Sequence, residues 1–314
     1  MTQKQIFELA IQMGTKADLR GEAAVKKYLA RQKKKYDELP PKKQADFDKE
    51  RLTNPYTDSG IWVDDGKPVK KMLTGIDVDT AELMLAKNLG ADTYLLHHPV
   101  GKGLARIEEV MHMQADVLAL YGVPINIAES LLKIRISEVA RGVHAINHYR
   151  VINSASLLKI NLMNLHTPCD NLVADFLKKE IENKKPEYVG EVVDILKNIE
   201  EYKISAKQGA PIKMFSGSKE NKAGRIALTE ITGGTEGAKD IYKAMANAGV
   251  GTIVAMHQSE EHRKNAEDAH INVIVASHIA SDSIGLNLFL DEIEKKGIEI
   301  IPCSGLIRVK RFKK

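Results

Sequence analysis

Along the first 58 residues or so the apolar positions are sparse and fall at helical spacing. Lys4 to Met13, Glu22 to Leu39 and a stretch after Pro40-Pro41 running toward Asn54-Pro55 read as polar helices, with the prolines marking the breaks. From Lys70 onward the pattern changes. Short apolar runs of strand length alternate with helical patterns, the signature of an α/β fold. Strands are predicted at Met72–Ile76, Thr93–Leu96, Pro124–Ala128, Ile160–Leu165, Ile212–Phe215, Arg225–Leu228, Thr252–Met256, Ile271–Ala276 and Glu299–Pro302. The clearest helix spans Ser281–Lys296: Leu286, Phe289, Leu290 and Ile293 keep to one face, and Gly297 offers a C-cap.

Residues 187–216 show a weak pattern between two polar stretches, 183–186 and 217–224, and are expected to join two lobes. The expected organisation is a helical extension at 1–59, an N-terminal α/β lobe at 60–185, a connecting region at 186–225 and a C-terminal α/β lobe at 226–314. One internal echo suggests related lobes. Residues 88–98 align without a gap on residues 247–257, each set reading helix end, glycine, strand, histidine.

Composition narrows the class. A hydrophobic share of 43% and a charged share of 28% describe an ordinary globular chain, and no stretch approaches the roughly 18 apolar residues needed to cross a bilayer. With a polar N-terminus in place of a signal peptide, a cytoplasmic protein with no membrane partner is expected. Cys169 and Cys303 are too few for a disulfide framework and read as buried thiols. The net charge of +4 gathers in lysine clusters, Lys33-Lys34-Lys35, Lys42-Lys43 and the tail from Lys310 to Lys314. In a chain with 42 acidic residues such runs are more often solvated helix faces, so nucleic acid is not the expected partner.

Three clusters carry candidate chemistry. The run Thr93–Leu96 ends in His97-His98-Pro99, which places imidazoles at the mouth of a sheet. His166-Thr-Pro-Cys-Asp170-Asn171 follows Ile160–Leu165; Thr167 as N-cap and Pro168 at the first helical position put Asp170 in a first helical turn. Ser277-His278-Ile-Ala-Ser-Asp282 follows another strand, with a helix expected to begin just before Ser281, so that His278 and Asp282 can converge on one ion. Together His97, His98, Asp170, His278 and Asp282 supply three imidazoles and two carboxylates, enough donors for two adjacent metal ions with one carboxylate bridging.

His166, His257 and His262 lie near these motifs and are candidates to orient ligands or substrate. Asp77, Asp79 and Glu129 occupy apparent strand ends, with capping the favoured role for the aspartates. His112, His144, His148 and His270 read as structural. Gly233-Gly234 before a helix expected near Thr235 could admit a phosphate. No G-x-G-x-x-G or Walker pattern exists, so no dinucleotide cofactor is expected. Ser259 to His262 lacks the strained elbow of a nucleophilic triad.

The paired histidines, the segment Asn164–Asn171 and the closing His278-x3-Asp282 resemble the NIF-three-like family (Ngg-interacting factor three, also known as the type-two GTP cyclohydrolase I homologue family), from about Gly60 to Lys310. The resemblance implies two interlocked α/β lobes, a dinuclear metal site between them and often a toroidal hexamer built from dimers. It assigns His97, His98, Asp170, His278 and Asp282 as ligands. The family usually ends its motif with glutamate, whereas Asp282 is shorter by a methylene. The lysine-rich helices replace the family's usual N-terminal segment.

The function expected is a metal-dependent, hydrolase-like reaction on a nucleotide or related small molecule, using water activated by two divalent ions of zinc, iron or manganese. The alternative is a non-catalytic metal-binding or regulatory interaction protein. Nucleic-acid binding through the lysine-rich helices stands third.

Overall fold

The computed structural model describes residues 1–312. Lys313 and Lys314, the end of the basic tail, lie outside them.

The chain opens with α1 (Gln3–Ala17), α2 (Glu22–Asp37) and α3 (Pro41–Ala45). The first lobe follows as β1 (Gly60–Val63), β2 (Lys71–Gly75), α4 (Thr80–Asn88), β3 (Thr93–Leu96), α5 (Gly101–Ala105), α6 (Ile107–Val110), α7 (Met113–Leu120), α8 (Ile125–His144), α9 (Arg150–Leu158), β4 (Asn161–Asn164) and α10 (Thr167–Lys184). Then come α11 (Val189–Lys197), α12 (Glu200–Lys207), β5 (Lys213–Ser216), β6 (Arg225–Glu230), α13 (Tyr242–Asn247), β7 (Val250–Ala255), α14 (Glu260–Asp268), β8 (Asn272–Val275), α15 (His278–Glu294) and β9 (Glu299–Pro302).

The strands form two sheets, ordered β1-β4-β3-β2-β9 and β5-β8-β7-β6. In each, the first pair is antiparallel and the remainder parallel. Setting β1, β2, β3 and β4 against β5, β6, β7 and β8 gives the same order twice, so the echo between residues 88–98 and 247–257 extends to topology. The lobes interlock because β9, after the second sheet, returns to pair with β2 of the first.

Burial explains the layering. Along β3, Leu95 faces one core with Met163, Cys169 and Phe289, while Tyr94 and Leu96 face another with Leu83, Ile152 and Ala155, the period-2 alternation of a strand covered on both faces. The second sheet likewise packs β8 through Ile274 against Val173, Leu177 and Ile284, and through Val273 against Ala128, Tyr242 and Ala266. Helices α10 and α15 therefore lie between the sheets, burying residues toward both. They approach closely because Gly285 of α15 sits over the Cys169 carbonyl. Helix α1 covers the start of α10, where Gly14 rests on Pro168.

Three expectations are corrected. Pro124–Ala128 is not a strand: Ile125 begins α8, with Pro124 at its N-cap, where a fixed φ favours a helix start. Glu129 is therefore an exposed helical residue and ends no strand. No helix begins near Thr235; the segment after β6 stays irregular, with Gly233 and Gly234 both at φ 95°, until a short 3-10 turn at Lys239–Ile241. Helix α15 begins at His278, three residues before Ser281. One strand, β1, was not foreseen. Residues 187–216 hold α11, α12 and β5, with Val189, Val192, Val193, Leu196 and Tyr202 buried.

Candidate metal centre

Parallel strands point their carboxyl ends the same way, and α/β sheets build sites there. His97 and His98 follow β3, His166 follows β4, and His278 opens the helix after β8. All four imidazoles meet the carboxylates of Asp170, in the first turn of α10, and Asp282, one turn into α15.

Asp282 sits between the others. Its Oδ1 lies 3.5 Å from His97 Nε2, and its Oδ2 lies 3.4 Å from His98 Nε2 and 3.6 Å from His278 Nε2. On the Oδ1 side, His97 Nε2 is 3.3 Å from Asp170 Oδ1, and His166 Nε2 is 3.9 Å from Asp170 Oδ2. Two sets, His97 with His98 and Asp282, and His97 with His166 and Asp170, bring their donor atoms close enough to hold a metal ion.

Side chains around the cluster fix these rings. His97 Nδ1 lies 2.9 Å from the Leu165 carbonyl, His98 Nδ1 2.7 Å from Asp77 Oδ1, and His166 Nδ1 2.7 Å from Asp58 Oδ2. Donating Nδ1–H outward leaves each Nε2 lone pair facing the carboxylates, the tautomer a ligand requires. Asp58 also accepts a hydrogen bond from Thr167 Oγ1, and Asn171 joins Asp18, Gly14 and Thr232 beside the motif.

Charge and burial make the centre costly without a cation. Asp170 is 2% exposed and Asp282 is fully buried. His97 Nε2, Asp170 Oδ1 and both Asp282 oxygens are buried with no hydrogen-bond partner. Each such atom costs about 1–3 kcal/mol. Four of them facing one point is the donor set of a cation site. Burial alone would lower the His97 pKa, yet Asp282 and Asp170 outweigh it and raise it well above the ordinary histidine value. For His98, burial is likewise outweighed by Asp282 and Asp77, and the pKa rises to about 9. Burial would raise the Asp282 carboxyl, but the imidazoles hold it well below the usual carboxylate range. The carboxylates thus draw positive charge, as protons here or as metal when supplied. Burial depresses His278, which Asp282 only partly offsets, keeping it a neutral donor.

A cavity of about 280 Å³ opens over the cluster, lined by His98, Asp170 and His278 from the centre and by Glu230, Thr235 and His257 opposite. A larger one, about 490 Å³ near Leu19, Tyr121 and Arg225, includes no histidine and lies away from this chemistry.

All five residues proposed from sequence come together. Sequence reasoning placed His166 only beside the motif, although its position directly after a strand and before Thr-Pro matches that of His97. Asp77 and Asp58 lie far away in sequence; Asp77, read as a strand-end group, holds His98, while Asp79 caps α4. His257 lies 5.5 Å, ring to ring, from His278. His262 is bound by the Ser259 hydroxyl and the Gly237 carbonyl, a helix-cap arrangement.

Comparison with solved structures fits this geometry. A NIF3 superfamily protein from Sphaerobacter thermophilus shares 28% identity over 80% of this chain and 92% of its own, with a TM-score of 0.73. The chain is similar in sequence and fold to the NIF3 superfamily. Reduced HcgD from Methanocaldococcus jannaschii, at 18% identity over 78% of this chain and 88% of its own with a TM-score of 0.50, shares the fold of this NIF3-like protein. No family model and no curated protein matches the chain. Among the described residues of this NIF3-like protein no helix is long and apolar enough to cross a membrane.

Proposed function

We propose that this protein is a metal-dependent enzyme whose clustered histidines and aspartates would hold two divalent cations. One cation would take His97, His166, Asp170 and Asp282 Oδ1; the other would take His98, His278 and Asp282 Oδ2. The observation that carries this is the set of four buried, unpartnered donor atoms aimed at one another. The donor set, imidazole nitrogen with carboxylate oxygen, suits zinc, iron or manganese. Bound there, such a pair supplies Lewis acidity, an acidified water and charge to stabilise a developing oxyanion.

The chain's own residues do the rest. Asp77, Asp58 and the Leu165 carbonyl hold three rings in the donor tautomer. The cavity admits a small molecule against His98, Asp170 and His278, an exchangeable face that catalysis needs and a purely structural metal site lacks. The reading is a hydrolase-like reaction on a nucleotide or related small molecule; the alternative is a non-catalytic metal-binding or regulatory interaction protein.

Elemental analysis of purified protein and of His97→Ala and Asp170→Ala variants tests the reading. Two ions per chain in the parent and loss in both variants is expected; equal metal content in all three would overturn it. A screen of phosphoesters, amides and nucleotides with parent and variants then tests the reaction.

A further inference from the structure

Helix α2 has no role in the metal centre and rests weakly on the body: of its sixteen residues only Val25 is buried. Three i,i+4 ion pairs, Lys26–Glu22, Lys33–Asp37 and Lys34–Glu38, support the helix along its exposed faces. Its inward side carries Val25, Leu29, Gln32 and Tyr36 at helical spacing, and Tyr36 stacks at 5.1 Å on Phe47. Its outward side carries Lys27, Arg31 and Lys34, at i, i+4 and i+7 and therefore on one stripe about 10 Å long. All three are exposed. Lys27 and Arg31 have no acidic partner among the described residues, and Lys34 has only an exposed contact with Glu38 at 3.7 Å, which screening makes weak.

The surplus is local. From Glu22 to Lys49 there are nine basic and five acidic residues, an excess equal to the +4 of the whole chain, while the Arg20 side chain just before is buried against Asp18. We propose that this outward stripe binds the phosphate backbone of nucleic acid, without regard to sequence. Charge complementarity supports that occupant. A membrane-binding helix would present aliphatic or aromatic side chains beside its cations. Here the apolar side is turned inward and the residues beside the stripe are Ala23, Ala24, Ala30 and Lys35, with Glu38 at its end, so contact is Coulombic and lies at the level of phosphates. An α-helix also matches the width of a duplex major groove. The surface is independent of the metal centre.

The test is fluorescence anisotropy of a labelled mixed-sequence duplex titrated with full-length protein over a range of salt, beside phosphatidylserine vesicles in a flotation assay. Three phosphate contacts predict a log–log salt slope of about −3. The triple variant Lys27→Ala, Arg31→Ala, Lys34→Ala keeps helix propensity. It should lose at least tenfold in affinity and most of the slope, with an unchanged circular dichroism spectrum. Asp170→Asn should bind the duplex as the parent does. The proposal is overturned if the parent shows no salt-dependent binding, if the triple variant binds equally well, or if vesicles are captured and the duplex is not.

Discussion

Replacing Gly285 by alanine attacks the crossing that assembles the centre. A Cβ there would lie 2.2 Å from the Cys169 carbonyl oxygen and 2.8 Å from its carbon. Both atoms are backbone, so no side chain can swing aside. Ordinary contact begins near 3.4 Å, so α10 and α15 must part locally by more than 1 Å. Cys169 precedes Asp170, and Gly285 lies one turn beyond Asp282; the parting falls between the two carboxylates. Overpacking of this kind costs about 1–3 kcal/mol. Ligand distances tolerate only about 0.2 Å, so metal affinity should fall at least tenfold, about 1.4 kcal/mol. Guanidinium denaturation of the metal-free variant and competitive zinc titration read the two effects. Gly142→Ala, in exposed α8 with nothing within 4 Å of the added carbon, is the control and should gain about 0.5–1 kcal/mol. A Gly285→Ala protein with parental stability and parental zinc affinity would refute the reasoning.

Further outcomes follow from the same geometry. Asp282→Asn should strip metal from both halves of the centre, whereas His278→Ala should leave one ion, as counted by elemental analysis; equal stoichiometry in the two variants would contradict the shared role of Asp282. Asp58→Ala removes the acceptor of His166 Nδ1 and Thr167 Oγ1, and should weaken metal binding about 10–100-fold while destabilising the fold by about 1–3 kcal/mol. In metal-free protein the raised pKa of His98 contributes stability that is fully present below about 6.5 and is lost as pH rises through about 9. Denaturation midpoints should therefore decline across that window, by up to about 1.4 kcal/mol per pH unit for each such group. Metal affinity should climb over the same range as protons leave the imidazoles; a flat profile in both measurements would be inconsistent with this centre.

Much of the fold was legible because strand period and apolar runs report burial directly: Thr93–Leu96 and Glu299–Pro302 match their strands end to end. Pro124–Ala128 failed because a short apolar run fits either a strand or the start of a helix, and the proline before Ile125 tips it to the latter. β1 escaped notice because Gly60–Val63 is a four-residue edge strand whose pairing with β4 reverses direction. Within the centre, His97, His98, Asp170, His278 and Asp282 carried local signals at strand ends and first turns. Asp77 carried only a strand-end signal and Asp58 none: their significance comes from folding that brings them to His98 and His166 across many residues of sequence. The exposure of α2 was legible, since its lysine runs read as a solvated helix face, and Lys33, Lys34 and Lys35 are exposed.

The most direct measurement is anomalous diffraction from crystals grown with zinc or manganese. Two peaks, one between His97 and Asp170 and one between His98 and His278, each within bonding distance of a different Asp282 oxygen, are predicted. A single peak remote from Asp282, or none in fully loaded crystals, would contradict the central claim.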